Sequence, residues 1–256
     1  MKTLMREGTI QMLNKVPEVT LYFWIIKIMA TTVGETAADF LNSNFHLGLT
    51  GTSVVMGALL TTFLFMQIRS RKYVPWLYWV TVVLISIVGT LVTDNMVDNF
   101  GVALQTTTLI FGVALLATFA IWYASEKTLS IHTIFTTQRE LFYWAAILFT
   151  FALGTAAGDL LAEGLSLGYA KSTLIYGALI GAVTIGYYAF KANAVLAFWI
   201  AYILTRPLGA SFGDYLSQPV SKGGLGLGTV VTSMIFLSAI LGLVIYLTVT
   251  RKDVQK

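Results

Sequence analysis

The sequence predicts an all-α polytopic membrane protein in which eight helices cross the bilayer, and three observations support this prediction. Of the 256 residues, 57% are hydrophobic and only 11% are charged, whereas soluble domains carry roughly 25% charged residues. The charges are clustered, which leaves apolar runs near the roughly 20 residues that a membrane-spanning helix needs. Four segments also repeat one pattern. Continuous runs of this length disfavour a β-barrel, whose strands alternate apolar and polar residues over about 10 positions.

The apolar runs give the order of the predicted helices. The runs are 19–41, 48–68, 75–97, 101–123, 141–162, 171–190, 194–216 and 225–249. The longest segment between them, 124–140, is too short to bury a core of its own. Residues 1–256 are therefore expected to form a single membrane domain, with 124–140 as a cytoplasmic linker. The first run follows a basic segment as a signal peptide would, but its length and internal Lys27 favour a retained helix.

The basic residues predict how the helices are oriented. In an eight-helix arrangement, twelve lysines and arginines fall on one side of the membrane, and only Lys171 and Lys222 fall on the other. Loops rich in lysine and arginine stay in the cytoplasm. Both termini are therefore expected to be cytoplasmic.

Four segments of the chain align without gaps. They are FWIIKIMATTVGETAAD (23–39), YWVTVVLISIVGTLVTD (78–94), YWAAILFTFALGTAAGD (143–159) and FWIAYILTRPLGASFGD (198–214). Each has an aromatic residue before a tryptophan, a glycine ten positions after it and an aspartate fifteen positions after it. The tryptophans are Trp24, Trp79, Trp144 and Trp199, the glycines are Gly34, Gly89, Gly154 and Gly209, and the aspartates are Asp39, Asp94, Asp159 and Asp214.

The spacing of the tryptophans predicts the architecture. They are 55, 65 and 55 residues apart, which indicates two similar halves with extra residues in the central linker. Each unit contains two helices, so successive units have the same orientation and are parallel repeats. The expected repeats are about 17–70, 73–124, 138–191 and 192–250.

This arrangement resembles a family of uncharacterised bacterial membrane proteins built from four tandem two-helix repeats, each with a characteristic tryptophan. The stretches KVPEVTLYFWIIKI, FALGTAAGDL and AFWIAYILTRPLGASFGDYL carry the resemblance, which extends from Lys15 to about Thr250. It implies an eight-helix, multi-pass protein of the bacterial inner membrane. It does not imply any particular chemistry.

The repeated glycines predict close packing between helices. Each is followed four positions later by a small residue, so the pair shares one helix face. Such faces let membrane helices approach closely. The pairs are Gly34/Ala38, Gly89/Thr93, Gly154/Gly158 and Gly209/Gly213. The repeated tryptophans are expected to pack between helices or to lie in an interfacial aromatic belt.

Acidic residues accumulate at the outer ends of the odd-numbered helices. They are Glu35, Asp39, Asp94, Asp98, Asp159, Glu163 and Asp214. Six of them form three pairs with four-residue spacing, at which like charges repel. Such pairs indicate a shared cation or a protonated partner. Together the acids predict a vestibule that concentrates cations, with all seven as cation-binding or proton-coupling residues.

Two basic residues lie within predicted membrane helices. Lys27 and Arg206 are near mid-membrane, where ionisable groups are functional candidates. We expect them to neutralise nearby carboxylates and lock helices together, or to act as counter-ions that a proton or metal displaces. Pro207 follows Arg206 and predicts a kink or break in the seventh helix.

The composition argues against an enzyme. The two histidines, His46 and His132, are predicted on opposite faces, and the chain has no cysteine, so a clustered zinc site is not expected. No cofactor and no nucleic acid partner is expected either.

Transport of a cation is the function that these observations favour. Carboxylate and hydroxyl oxygens suit Mg²⁺, Ca²⁺ and Mn²⁺ more than Cu⁺ or Zn²⁺. We expect a divalent-cation transporter, with Mn²⁺ and export favoured and protons as a candidate exchanging ion. Two alternatives stay open. One is a proton-coupled transporter of a small organic cation with a pocket lined by Tyr22, Tyr202 and Tyr215, and the other is a membrane scaffold. The sequence gives no oligomeric state.

Overall fold

The computed structural model describes residues 14–44 and 47–254, and the regular structure in these ranges is helical throughout. His46 lies outside the described residues. The eight long helices in these ranges are α1 (Leu21–Asn44), α2 (Gly48–Arg69), α3 (Pro75–Asp94), α4 (Leu104–Glu126), α5 (Thr137–Asp159), α6 (Tyr169–Phe190), α7 (Ala194–Ser217) and α8 (Thr229–Thr250). A π-helical turn extends α3 over Asn95–Asn99, and another extends α5 over Leu160–Gly164.

The predicted number of helices is confirmed for the described part of the chain. Each apolar run overlaps one helix, and seven of these eight helices are long and apolar enough to cross a membrane. The exception is α1, which has the length but carries Lys27, Glu35 and Asp39. The last helix begins later than its apolar run, because Gly226 and Gly228 have φ values of 73° and 78°, in the left-handed region that interrupts a helix.

The four odd-numbered helices form a closed inner ring. Helix α1 packs against α3, α3 against α5, α5 against α7, and α7 against α1. Each even-numbered helix lies outside the ring and packs mainly on the inner helix of the next repeat. Thus α2 covers α3, α4 covers α5, α6 covers α7, and α8 returns to cover α1. Because the two helices of one repeat pack less closely with each other, a repeat is stabilised chiefly by its neighbours.

The repeated glycines lie where adjacent inner helices approach most closely. Each glycine contacts one side chain of the next inner helix around the ring. That side chain stands seven positions after the tryptophan of its own helix. The pairs are Gly34 with Ser86, Gly89 with Phe151, Gly154 with Arg206, and Gly209 with Thr31. A methyl group at Gly89 would lie 2.7 Å from Cβ of Phe151 and 3.2 Å from the backbone nitrogen of Ala152. One local contact is therefore repeated four times to close the ring.

The second glycine of the α7 pair, Gly213, also packs against α1, but its contact is looser than that of Gly209. A methyl group at Gly213 would lie 3.3 Å from the carbonyl oxygen of Thr32 and 3.3 Å from Cγ2 of Thr36, both on α1. At Gly209 the added methyl group would overlap a side chain of α1 and lie 3.0 Å from the backbone nitrogen of Thr32. Gly158 on α5 is similarly less crowded, with the nearest atom of α7 at 3.5 Å.

The helix-packing role predicted for Gly213 agrees with these contacts. Gly213 is buried and packs tightly against α1, although the approach at Gly209 is closer. Both glycines therefore let α7 pack closely on α1.

The repeated aromatic residues follow the same cyclic rule as the four ring glycines. The aromatic residue before each tryptophan packs against the tryptophan of the next inner helix. The ring-centroid distances are 5.6 Å for Phe23–Trp79, 5.5 Å for Tyr78–Trp144, 6.3 Å for Tyr143–Trp199 and 5.7 Å for Phe198–Trp24. Three of the tryptophans are buried, and Trp24 is partly buried. These side chains form an aromatic girdle inside the protein, because each ring gains contact area against its neighbour.

The break predicted at Pro207 is wrong, because α7 is one continuous helix from Ala194 to Ser217. Proline removes one backbone hydrogen bond, but membrane helices tolerate this where neighbouring groups satisfy the backbone. The proline also has a matching surface on α5. A methyl group at Gly154 would lie 2.9 Å from Cδ of Pro207, and one at Gly158 would lie 3.6 Å from its Cα. The two glycines of α5 thus leave room for the proline.

Both described ends of the chain lie on the same side of the ring, which we call the termini side. The backbone N–H of Glu18 donates to the carbonyl of Asp253 at 3.0 Å. The hydroxyl of Tyr73 donates to the carboxylate of Asp253 at 2.6 Å. Burial raises the pKa of Asp253, and this hydrogen bond opposes the rise. The opposite end, where the repeated aspartates lie, is the vestibule side.

Irregular segments cross the ring on the termini side. The ammonium of Lys15 pairs with Glu140 at 2.6 Å, and it also donates to the carbonyl of Ile68 at 2.9 Å. Glu140 belongs to α5, which is opposite α1 in the ring. The central linker, with Ile131 and Ile134 buried, packs alongside this segment, and Ile134 accepts the backbone N–H of Lys15. The longer central linker therefore contributes to closing this side.

Alanine at the ring glycines should destabilise the protein. We expect Gly89→Ala to cost about 1–3 kcal/mol, since overpacking at a rigid backbone contact costs this much. Gly57→Ala and Gly181→Ala are matched controls in outer helices, where no atom lies within 4 Å of the added methyl group. They should be neutral or stabilising by up to about 1 kcal/mol. Unfolding by SDS in mixed micelles measures the differences, and equal effects at all three positions would contradict the ring contact.

Candidate functional site

The seven predicted acids lie on the vestibule side and differ in exposure. Asp98 and Glu163 are exposed at the rim, on the π-helical turns that extend α3 and α5. Asp39, Asp94 and Asp159 are partly buried. Glu35 and Asp214 are buried, at 5% and 6% exposure. Acidic side chains therefore extend from the rim into the ring.

Three of the acids converge inside the ring. One carboxylate oxygen from each of Glu35, Asp159 and Asp214 lies within 4.8 Å of the other two. These side chains come from α1, α5 and α7, so three inner helices meet there. No other such group of histidines and acids occurs among residues 14–44 and 47–254. We call this group the acid cluster.

The looser contact at Gly213 adjoins the acid cluster. Gly213 precedes Asp214 on α7, and a methyl group there would lie 3.4 Å from Cβ of Glu35. A residue without a side chain at this position lets α1 and α7 bring their two carboxylates together. Gly213 therefore acts in the structure as a spacer beside the acids, in addition to the helix-packing role that the sequence predicts.

The remaining acids have different surroundings. Glu163 accepts a hydrogen bond from the hydroxyl of Tyr169 at 2.8 Å. Asp39 accepts one from the side-chain amide of Gln218 at 3.4 Å. Asp94, which the sequence analysis grouped with the other acids, does not belong to the acid cluster. In two of the pairs with four-residue spacing, the two acids differ in exposure. Asp98 and Glu163 are exposed, whereas their partners are partly buried.

Arg206 lies beneath the acid cluster and is fully buried. Its Nη2 donates to Oε2 of Glu35 at 2.9 Å, to Oγ1 of Thr155 at 2.6 Å and to Oγ1 of Thr90. Its Nη1 donates to the carbonyl of Thr31 at 3.2 Å. This guanidinium on α7 therefore contacts α1, α3 and α5. The expectation that Arg206 neutralises a carboxylate and joins helices matches these contacts.

Lys27 is also fully buried, but its environment differs from the predicted one. Its ammonium donates to Oγ1 of Thr205 at 3.2 Å. It lies 4.3 Å from the ring centre of Phe151 and 4.2 Å from that of Tyr202. No carboxylate in the described part of the chain lies within ion-pair distance of it, so the expected neutralisation of an acid by Lys27 is wrong. The aromatic girdle separates it from the termini side and provides ring faces that attract cations.

The threonines that hold Arg206 were not predicted from the sequence. Thr90 and Thr155 stand eleven positions after their tryptophans, where the first repeat has Glu35 and the fourth has Ala210. The alignment of the repeats could have identified these threonines, because it places three polar side chains at one level of the ring. Thr205 was also missed. Its role depends on Lys27, which has no counterpart in the other repeats.

The tyrosines suggested for an organic-cation pocket do not meet. Tyr22 packs against Tyr246, with ring centres 5.6 Å apart. Tyr202 is buried against Lys27, and Tyr215 lies near the vestibule end of α7. The vestibule therefore offers carboxylate and hydroxyl oxygens to a cation, whereas the aromatic faces below already hold an ammonium.

Comparison with known proteins agrees with the repeat pattern. A family model described as a Repeat of Unknown Function (DUF347) matches residues 22–73, 77–128, 142–193 and 197–253. Each match contains one inner helix and the outer helix that follows it. No curated protein and no solved structure matches the chain.

The pairing of Arg206 with Glu35 should appear as a coupling energy. Removing one partner of a buried ion pair leaves an unpaired charge and typically costs 3–5 kcal/mol. We expect Arg206→Met and Glu35→Gln each to be strongly destabilising, and the double variant to be at least about 1 kcal/mol more stable than their summed effects predict. Unfolding in mixed micelles measures the four proteins of this cycle. Additive effects would show that the two side chains act independently.

Proposed function

The chain belongs to the family described as a Repeat of Unknown Function, and from this premise we propose that it is a membrane transporter that exchanges a divalent metal cation for protons. Mn²⁺ is the favoured cargo and export the favoured direction. The observation that carries the proposal is the acid cluster, in which Glu35, Asp159 and Asp214 converge from three inner helices. In this proposal the protein lies in the bacterial inner membrane with both termini in the cytoplasm.

The electrostatics of the acid cluster favour a cation ligand. At an effective dielectric constant of about 20, two unit charges 4.8 Å apart repel by roughly 3.5 kcal/mol. Three carboxylates at this spacing therefore need compensating positive charge. Of these three acids, only Glu35 pairs with Arg206. A divalent ion or protons can compensate Asp159 and Asp214.

The chemistry of the ligands favours a hard metal ion. Carboxylate oxygens are the ligands that Mn²⁺, Mg²⁺ and Ca²⁺ prefer. Threonine hydroxyls lie at the next level of the ring, and the chain has no cysteine. The second candidate, an organic cation, would need aromatic faces near the acids. The ring faces of Phe151 and Tyr202, on the side of Arg206 away from the acids, are occupied by the ammonium of Lys27.

The position of the site favours transport over simple binding. The acid cluster lies inside a ring of parallel repeats, an arrangement in which transporters commonly place their binding sites. It is continuous with the acidic vestibule on one side. On the other side it is bounded by the guanidinium of Arg206, the ammonium of Lys27 and the aromatic girdle. A cation that passes between the two sides must displace Arg206 from Glu35.

Exchange for protons gives the direction. The carboxylates that bind the metal are also the groups that can take up protons from the vestibule. Because basic loops are expected in the cytoplasm, the vestibule faces outward in this proposal. Protons that enter from outside then compete with the metal for the same oxygens, and the metal leaves towards the outside.

Substitution of the acid cluster should abolish metal flux. We expect the wild type in liposomes to move Mn²⁺ across the membrane, and Asp159→Asn/Asp214→Asn to reduce the initial rate at least tenfold, because two of the three charged ligands are lost. The measurement follows quenching of a trapped metal-sensitive dye, with Mg²⁺, Ca²⁺, Co²⁺ and Zn²⁺ run in parallel.

The matched control for this experiment removes two exposed acids of the same vestibule. Asp98→Asn/Glu163→Gln changes the vestibule charge by the same amount but leaves the acid cluster intact. It should retain the rate within about threefold. Folded wild-type protein that moves none of these metals would overturn the proposed function, and equal losses in the two double variants would overturn the assignment to the acid cluster.

A further inference from the structure

Lys27 has the surroundings of a group whose charge is not permanently balanced. Its ammonium is fully buried, and its single hydrogen-bond acceptor among the described residues is Oγ1 of Thr205, at 3.2 Å. An ammonium has three donors. Its other close partners are the ring faces of Phe151 and Tyr202. The hydroxyl of Tyr202 is also buried and has no hydrogen-bond partner in the described part of the chain.

Packing does not explain a lysine at this position. Lys27 stands three positions after its tryptophan, and the corresponding residues in the other repeats are Val82, Ile147 and Tyr202. All four of these positions are buried. An apolar side chain satisfies the same level of the ring in α3 and α5, so the ring can close without a charge there. A buried ammonium without a carboxylate is costly unless function requires it.

Lys27 also differs chemically from the other buried base. The two cations lie over the same Phe151 ring, at 4.3 Å for Lys27 and 5.7 Å for Arg206. A guanidinium stays charged in proteins, whereas a lysine side chain can become a neutral amine. Of the two bases inside the described ring, only Lys27 can therefore release a proton.

The side of the ring that holds Lys27 is reached by a separate cavity. A cavity of about 630 Å³ lies between the termini-side halves of α1, α6 and α7 and the central linker. Thr205, the hydrogen-bond partner of Lys27, forms part of its wall. Other residues that line it are Glu18, Trp24, His132, Tyr187 and Phe198. The acid cluster lies on the vestibule side, so it and the cavity lie towards opposite ends of the ring.

We propose that Lys27 carries a proton that is exchanged for the metal cation, and that this proton reaches the termini side through Thr205 and the cavity. The inference rests on the proposed function and adds the identity of a proton-carrying group. Lys27 does not touch the metal. Its role is to change charge when the acid cluster is filled.

The release of the proton from Lys27 follows from the balance of charge in the ring. A divalent cation that binds at Glu35, Asp159 and Asp214 adds two positive charges to the ring. Release of one proton from the ammonium of Lys27 leaves a neutral amine and reduces this gain to one. Oγ1 of Thr205 accepts the proton of the N–H bond that breaks, and it releases its own hydroxyl proton, which it otherwise donates to the carbonyl of Tyr202 at 2.7 Å, to water in the cavity. No oxidant or further reactant is needed.

Few other titratable groups face Lys27. From α7 these are the guanidinium of Arg206 and the phenol of Tyr202. One level towards the termini side, the hydroxyls of Tyr78 on α3 and Tyr143 on α5 hydrogen-bond to each other at 2.5 Å. On α1 itself, Glu35 is engaged by Arg206. In α5, the residue nearest the ammonium is Phe151, which does not titrate.

The test counts protons moved for each Mn²⁺. Purified full-length protein is reconstituted in liposomes that contain a pH dye and a metal dye, and Mn²⁺ flux is measured with and without a gradient of about one pH unit, which is a tenfold difference in proton concentration. We expect Lys27→Met to move about one proton fewer for each Mn²⁺ than the wild type. Accumulation driven by the pH gradient should fall at least tenfold. Lys27→Met should still bind Mn²⁺, but the pH dependence of its dissociation constant should be weaker by up to about tenfold per pH unit, because binding no longer releases a proton from this side chain.

Two further variants make the result decisive. Lys72→Met removes an exposed lysine on the termini side and should match the wild type. Lys27→Arg keeps the positive charge but cannot release it, so it should lose coupling as Lys27→Met does. If gel filtration shows that Lys27→Met does not fold, Lys27→Arg still tests whether Lys27 carries the proton.

The outcomes separate the two proposals. An unchanged number of protons for each Mn²⁺ in the folded Lys27 variants, with metal flux intact, overturns the role of Lys27 and leaves the transporter standing. A wild type that moves no Mn²⁺ overturns both. Loss of coupling in the Lys27 variants with retained Mn²⁺ binding supports the proton-carrying role, which a purely structural lysine would not produce.

Discussion

The guanidinium of Arg206 is the interaction on which the inner ring depends. It extends from α7 into the centre of the ring and bonds to groups on α1, α3 and α5. A fully buried cation is costly without an opposite charge, and Glu35 supplies that charge at 2.9 Å. The stem of Arg206 also lies over Gly154, where any larger residue would collide with it. The same side chain therefore contributes both to the site and to the packing of the ring.

The fourfold repeat builds a closed frame, and several of the charged groups at its centre are departures from that repeat. Glycines and aromatic residues make the same contact four times around the ring. Asp214 and Asp159 occupy repeated positions, whereas Glu35, Lys27 and Arg206 each occur in one repeat. A symmetric frame sets the distances between helices. The charged residues that occur in only one repeat then place the acid cluster on one side of the ring and the ammonium of Lys27 on the other.

Part of this arrangement could be predicted from the sequence. The apolar runs and the repeated Trp–Gly–Asp spacing predict the eight helices and the four units, because both are local patterns. The packing of each outer helix on the next repeat could not be predicted, since it depends on contacts between units. The break expected at Pro207 failed because Gly154 and Gly158, on another helix, leave room for the ring of the proline. The looser contact at Gly213 depends likewise on how far α1 lies from α7.

The position of a bound metal would decide whether the acid cluster is a cation site. Crystals of the full chain grown with Mn²⁺ and measured near the manganese absorption edge would show the ion by its anomalous signal. We expect one strong peak between the carboxylates of Glu35, Asp159 and Asp214, about 2.2 Å from their oxygens as hard divalent ions bind, with Arg206 moved away from Glu35. No peak there, with Arg206 still paired to Glu35 at saturating Mn²⁺, would contradict the assignment.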